Sequence, residues 1–174
     1  MKQDDWFLHY MEQHYLAEQA EVLLQQCLEQ RSPAPLQALV ERLVIEGPHN
    51  LPALHLIWKV IVQRRTQIEQ DAHSLWHDLK HLLESQGLPL PASSPWEALY
   101  LDEQALQRWA DALSDAPLEV LEEGRRALRN TQTLLQDMRE AWALLRALEE
   151  DLEGWAWGLA RLAALSSPPF EQVL

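Results

Sequence analysis

A chain of 174 residues, 47% of them hydrophobic, is long enough to bury a core and too apolar for intrinsic disorder. The 27 Asp plus Glu outnumber 14 Lys plus Arg, giving a net charge of −13, and both halves about Gly87 are acidic, which disfavours direct binding to nucleic acid or anionic lipid. With 34 leucines, 16 glutamines and eight tryptophans against three lysines and five glycines, the composition favours helix over sheet.

The first helical segment is read from about Asp4 to Gln30, with Trp6, Tyr10, Ala17, Ala20, Leu24 and Cys27 on one stripe. Asp4 and Asp5 suit its N-terminus as caps and as charges facing the helix dipole. Cys27 is the lone cysteine, so it forms no intrachain disulfide or multi-cysteine metal site, and its register makes it a small packing residue. Ser32-Pro33 reads as an N-cap and first helical residue, opening a short helix to about Glu46 that Gly47-Pro48 ends.

The third segment, about Leu51 to Gln86, carries the seam Leu54, Trp58, Ile61, Arg65, Ile68, Ala72, Leu75, Leu79 and Leu82, with the alternating fours and threes of a coiled coil. Gly87 closes it, and a Pro/Ser-rich linker at 87–95 follows. Ser94-Pro95-Trp96-Glu97 has capping-box spacing and starts a fourth helical region to about Leu113, with a break near Asp102. Pro117 opens the last pattern: Leu121, Gly124, Leu128, Thr131, Leu135, Met138, Trp142, Leu145, Leu152, Leu159 and Leu162 hold register almost to Ser166. Such a helix would exceed ~60 Å, so a kink is expected at Gly154 or Gly158, while Gly124 implies close helix approach. The tail Ser166-Ser167-Pro168-Pro169-Phe170 breaks the pattern.

These elements predict an all-α fold: an elongated antiparallel bundle of about five helices, three of them long, in a single domain over 1–174. A seam could also serve self-association, so a homodimer fits the pattern. No run approaches the ~18 apolar residues of a membrane span. The opening Met1-Lys2-Gln3-Asp4-Asp5 lacks a secretory signal's basic and apolar regions, so a cytoplasmic location is expected.

Several constellations invite chemistry. His73, His77 and His81 recur at four-residue steps beside Asp78, a spacing at which two imidazoles share a metal. They fall opposite the apolar seam, which predicts a solvated face and makes them weak metal candidates. His9 and His14 lie among Trp6, Phe7, Tyr10, Met11 and Tyr15, a cluster expected in the core, with a partner surface or a flat cofactor as alternatives. A di-metal centre needs Glu-x-x-His pairs on two helices, and the only such spacing, Glu46 to His49, is broken by Gly47-Pro48. The acidic pairs Glu18/Glu21, Glu119/Glu122 and Glu150/Glu153 lack a properly spaced second pair, and no phosphate loop or nucleophile elbow occurs. Arg125, Arg126 and Arg129 are the densest basic cluster, with Glu119, Glu122 and Glu123 about one turn away to pair with them.

Two features exceed what a self-contained bundle needs. Arg65 interrupts an apolar seam, which demands a carboxylate inside the bundle, a snorkelling side chain or an opening to a partner. Glu149, Glu150, Asp151 and Glu153 run into Gly154-Trp155-Ala156-Trp157-Gly158, and two tryptophans two residues apart cannot face one direction on a helix. With no catalytic signature and no cofactor motif, the expectation is a non-enzymatic adaptor, assembly factor or chaperone. It would present Arg65, Glu149, Glu150, Asp151, Glu153, Trp155 and Trp157 to another protein. The alternatives are an acidic inhibitor or mimic of a basic nucleic-acid-binding protein, and a helical metal- or cofactor-binding protein using His9 and His14.

Overall fold

The computed structural model describes residues 2–166; the tail from Ser167 lies outside them. The described residues form five α-helices and two 3-10 turns, with no strand: α1 (Lys2–Gln30), α2 (Ala34–Glu46), a turn at Pro48–Asn50, α3 (Leu51–Ser85), a turn at Glu97–Tyr100, α4 (Glu103–Asp111) and α5 (Leu118–Ser166). The fold is all-α, and no helix among these residues is long and apolar enough to cross a membrane.

Local chemistry sets the boundaries. Because α1 already begins at Lys2, Asp4 and Asp5 lie inside the helix rather than ahead of it. It ends at Arg31, which takes the left-handed conformation (φ 54°) usually left to glycine, while the Ser32 N–H closes on the Cys27 carbonyl at 3.0 Å. The Ser32 hydroxyl accepts from the Ala34 N–H at 3.2 Å at the mouth of α2. Asn50 donates to the Leu43 carbonyl at 2.8 Å, capping the C-terminal end of α2. Gly87, at φ 74°, ends α3 as a Schellman motif: its N–H meets the Glu84 carbonyl, and the Leu88 N–H meets the Leu83 carbonyl at 2.8 Å.

The expected capping box is displaced by one residue. The Ser94 hydroxyl accepts from the Glu97 N–H, but the Glu97 carboxylate reaches the N–H and hydroxyl of Ser93, and only a 3-10 turn follows. The break near Asp102 is real, because that side chain accepts from the Ala105 N–H at 2.7 Å and caps α4.

The chain divides into two compact units, residues 1–65 with 143–174 and residues 66–142, so that α3 and α5 each contribute to both. In the first unit, α1, α2, the start of α3 and the end of α5 bury Leu24, Cys27, Leu36, Leu54, Ile57, Ile61, Leu145 and Leu152. Trp58 lies against Glu153, and Arg65 against Glu149, so α3 and α5 run antiparallel there. In the second unit Glu69 meets Trp142 and Gln86 meets Glu123, again antiparallel. Its core joins Ala72, Trp76, Leu79 and Leu83 to Leu128 and Leu135, with Leu88, Ala98 and Leu106. The 87–95 stretch belongs to this packing: Leu88 is buried, Leu90 and Ala92 are partly so, and the Trp109 indole donates to the Pro89 carbonyl at 3.0 Å.

Three packing expectations need correction. Leu162 of the α5 pattern is 56% exposed. Leu82 is 45% exposed and Leu83 takes its place in the core. At about 100° per residue, Leu83 returns to within ~20° of Ala72 whereas Leu82 falls ~80° away, so the end of α3 follows the 3.6-residue turn rather than a strict heptad. The cluster Trp6, Phe7, Tyr10, Met11 and Tyr15 is exposed rather than core, as is every residue over 5–15. The cause is length: α1 has 29 residues and its packing partner α2 only 13. Burial pushes the Cys27 thiol above its usual range, so it stays protonated at neutral pH; alkylation followed by mass spectrometry should be slow in the native protein and fast in denaturant.

Glycine roles divide sharply. A Cβ on Gly124 would stand 2.8 Å from Leu88 Cδ1 and 3.4 Å from Leu83 Cδ2, both buried, whereas nothing lies within 4 Å of one on Gly154 or Gly158. The helix α5 runs unbroken through both. Gly154→Ala and Gly158→Ala should each raise unfolding free energy by up to about 1 kcal/mol. Gly124→Ala should lower it by about 1 kcal/mol, since overpacking outweighs the propensity gain; urea denaturation of the three variants checks the sign.

Candidate functional site

The first unit carries a buried ion pair and, next to it along α3 and α5, two open grooves. Glu149 lies one turn after Leu145 on the inward face of α5, so its carboxylate is carried into an apolar seam and must be matched there. Arg65 Nε donates to Glu149 Oε2 at 2.7 Å and Nη2 to Oε1 at 3.3 Å, with side chains 21% and 4% exposed respectively. Arg146, one turn back on α5, adds a 3.0 Å contact to the same carboxylate and reaches Glu150 at 3.5 Å. Of the expectations for Arg65, the structure realises the internal ion pair.

Beyond this pair, the buried Leu152 of α5 is shared by two grooves, one on each flank of the helix. Toward α3 lies an open groove of about 760 Å³, lined by Leu51, Pro52, Leu54, His55, Trp58, Leu152, Glu153, Ala156 and Trp157. Leu54 and Leu152 form a buried floor, and Trp58 and Trp157 stand at the sides. The sides are held: the Trp58 indole N–H donates to Glu153 Oε1 at 3.2 Å, and the His55 ring stacks on it at 5.7 Å. The Arg161 guanidinium lies 5.1 Å from the centre of the Trp157 ring. Toward α2 lies a smaller cavity of about 250 Å³, lined by Leu36, Val40, Ile61, Leu148, Leu152 and Trp155, with Asp151 near Gln37 at its edge.

The two tryptophans thus face different grooves, and both stay open, Trp155 at 46% and Trp157 at 65% exposure. Glu150, Asp151 and Glu153 are exposed on the same stretch. Of the residues singled out in the sequence, Asp151 and Trp155 line the cavity toward α2, Glu153 and Trp157 line the groove toward α3, Glu150 is exposed on the same stretch, and Arg65 and Glu149 form the buried pair. Sequence reasoning assigned Trp58 to the seam and overlooked His55 and Leu51. The signal was the antiparallel register: two turns before Arg65 on α3 falls opposite the stretch two turns after Glu149 on α5.

The other candidates lie apart. His77 and His81 are exposed, with their Nε2 atoms 2.9 Å apart, and His73 is exposed one turn earlier. Among the described residues no group of three or more His, Cys, Asp or Glu is placed to hold a metal ion. On the open half of α1, His9 meets Gln13 at 3.1 Å and His14 meets Glu18 at 3.1 Å, while Trp6, Tyr10 and His14 stack in a ladder. Arg125 and Arg129 pair across to Glu103 of α4 rather than with Glu119, Glu122 or Glu123; Arg129, then Arg125, holds the Glu103 carboxyl below the usual carboxylate range.

No protein-family model, curated protein or solved structure matches the chain.

Removing one partner of that pair leaves a buried charge with Arg146 as its remaining counter-ion. Arg65→Met should cost roughly 2–4 kcal/mol of unfolding free energy, while Arg65→Met with Glu149→Met should recover at least half of the loss. Guanidinium denaturation of both variants checks it, and a double variant no better than the single one refutes the reading.

Proposed function

We propose that the chain is a non-enzymatic protein-interaction module, an adaptor, assembly factor or chaperone of the cytoplasm. Its groove between α3 and α5 would receive a helical segment of another protein that is apolar on one face and basic on its flank. The supporting observation is Trp157, a large apolar side chain left mostly open at the side of a groove whose floor is already apolar. A contiguous apolar depression rimmed by polar groups is a common mark of a docking surface, and tryptophan is over-represented among residues that dominate binding energy. Charge complementarity supplies the flank: Glu153 lines the groove, Glu150 and Asp151 are exposed on the same stretch of α5, and the chain as a whole carries −13. An amphipathic helix laid into a groove is an established mode of recognition.

The second reading, an acidic mimic for a basic nucleic-acid-binding protein, draws on the same three carboxylates without needing the groove.

The test uses the full chain as bait in its native cell extract, beside Trp58→Ala/Trp157→Ala and Glu150→Gln/Asp151→Gln/Glu153→Gln, each checked for helicity. The captured protein is then purified and its affinity measured. The tryptophan variant should weaken binding by about 30-fold or more, and the complex should persist at ~0.5 M salt because exposed charges are screened there. Loss of binding only in the carboxylate variant, with collapse at high salt, selects the mimic. Equal affinity of all three baits overturns both readings.

A further inference from the structure

The exposed face of α3 holds a geometry that the groove does not use. His77 and His81 are four residues apart, so their side chains rise from adjacent turns on one face. Their rings meet edge-on, with centroids 4.3 Å apart and planes at 86°, and the two Nε2 atoms are 2.9 Å apart. Two imidazole nitrogens at that distance are within the bite of a single metal ion. With both rings in the Nδ1–H tautomer, both Nε2 atoms can donate to one cation set off the line that joins them.

We propose that His77 and His81 form a two-nitrogen chelate for a divalent transition metal, with preference for copper(II) and nickel(II) over zinc. Imidazole–metal bonds run about 2.0–2.1 Å, and two such bonds to nitrogens 2.9 Å apart enclose an angle of about 90°. That is the cis angle of square-planar and octahedral complexes, which suit copper(II) and nickel(II). A tetrahedral zinc ion would want the nitrogens about 3.3 Å apart, so both rings must turn to admit it. The affinity order of divalent metals points the same way. Calcium and magnesium are poor fits, since they require oxygen ligands.

The surroundings permit the charge. Lys80, the cation on this face, lies 4.0 Å from Glu84, and Asp78 lines with His77 the open cavity of about 590 Å³ beside the pair. His73 lines that cavity too, one turn from His77, yet the close nitrogen contact is between His77 and His81. With two protein donors, the remaining coordination positions belong to water, so the site is open and exchangeable rather than structural. Because imidazole must be neutral to ligate, acidification displaces the metal.

The test is titration of the full, tag-free chain with copper(II) chloride and nickel(II) chloride by calorimetry, with electron paramagnetic resonance of the copper form. The expected result is one equivalent bound, with nitrogen couplings from two imidazoles in the spectrum. Affinity should fall at least about tenfold in His77→Ala and in His81→Ala, and stay within twofold of the parent in His73→Ala, His14→Ala and His49→Ala. All five positions are exposed, and circular dichroism confirms the fold of each variant. Unchanged affinity in His81→Ala, no saturable binding by the parent at micromolar metal, or a larger loss in His73→Ala than in His81→Ala would each overturn the site.

Discussion

Glu149 faces the interior of α5 where its neighbours one turn away on either side, Leu145 and Leu152, are buried apolar residues. A carboxylate in that position cannot be left without a counter-charge, and Arg65 meets it with two hydrogen bonds from the facing seam of α3. Apolar contacts tolerate a slip of one turn, because one leucine packs nearly as well as the next; a two-point contact between guanidinium and carboxylate does not. The pair therefore specifies which turn of α3 faces which turn of α5 in the first unit. From that register follows the placement of Trp58 against Glu153 and of Leu54 beside Leu152, which together make the groove.

Most of the fold was legible because its signals were local and strong. Gly87 marked the end of α3, and the reason is now visible: its positive φ lets Leu88 fold back onto Leu83, so the break in the helix also contributes a core residue. Asp102 marked the start of α4 through its side-chain cap. What was not legible depended on partners that pattern alone does not name. The stripe on α1 is periodic from Trp6 to Cys27, but periodicity says only that a face is apolar; the length of α2 decides where that face is covered. The end of α1 was harder still, since Arg31 occupies a conformation normally flagged by glycine.

The same distinction governs the candidate site. Trp155 and Trp157 stood out because two tryptophans two residues apart conflict with a one-sided helix, and they do open onto separate grooves. Trp58 did not stand out, because its spacing fits the seam. Its place emerges only when α3 and α5 are aligned, where it is half-buried and lines the groove. The charge pattern shows a parallel case. Arg125 and Arg129 had nearby carboxylates on their own helix, yet both reach Glu103 on α4. There a single carboxylate serves two guanidinium groups and ties a short helix to a long one.

The glycines of α5 carry the argument one step further. Glycine within a helix costs about 1 kcal/mol relative to alanine, and a sequence tolerates that cost where the missing methyl group does something. At Gly124 the reason lies within the chain, because Leu88 and Leu83 occupy the space a Cβ would need. At Gly154 and Gly158 no atom of the described chain comes within 4 Å of that space, so intrachain packing supplies no reason. Both lie about 120° or more round α5 from the buried Leu152, outside the lining of either groove, on its exposed side. The cost of glycine is thus matched by close packing at Gly124, where Leu88 and Leu83 would meet a side chain, and stands as bare helix surface at the other two.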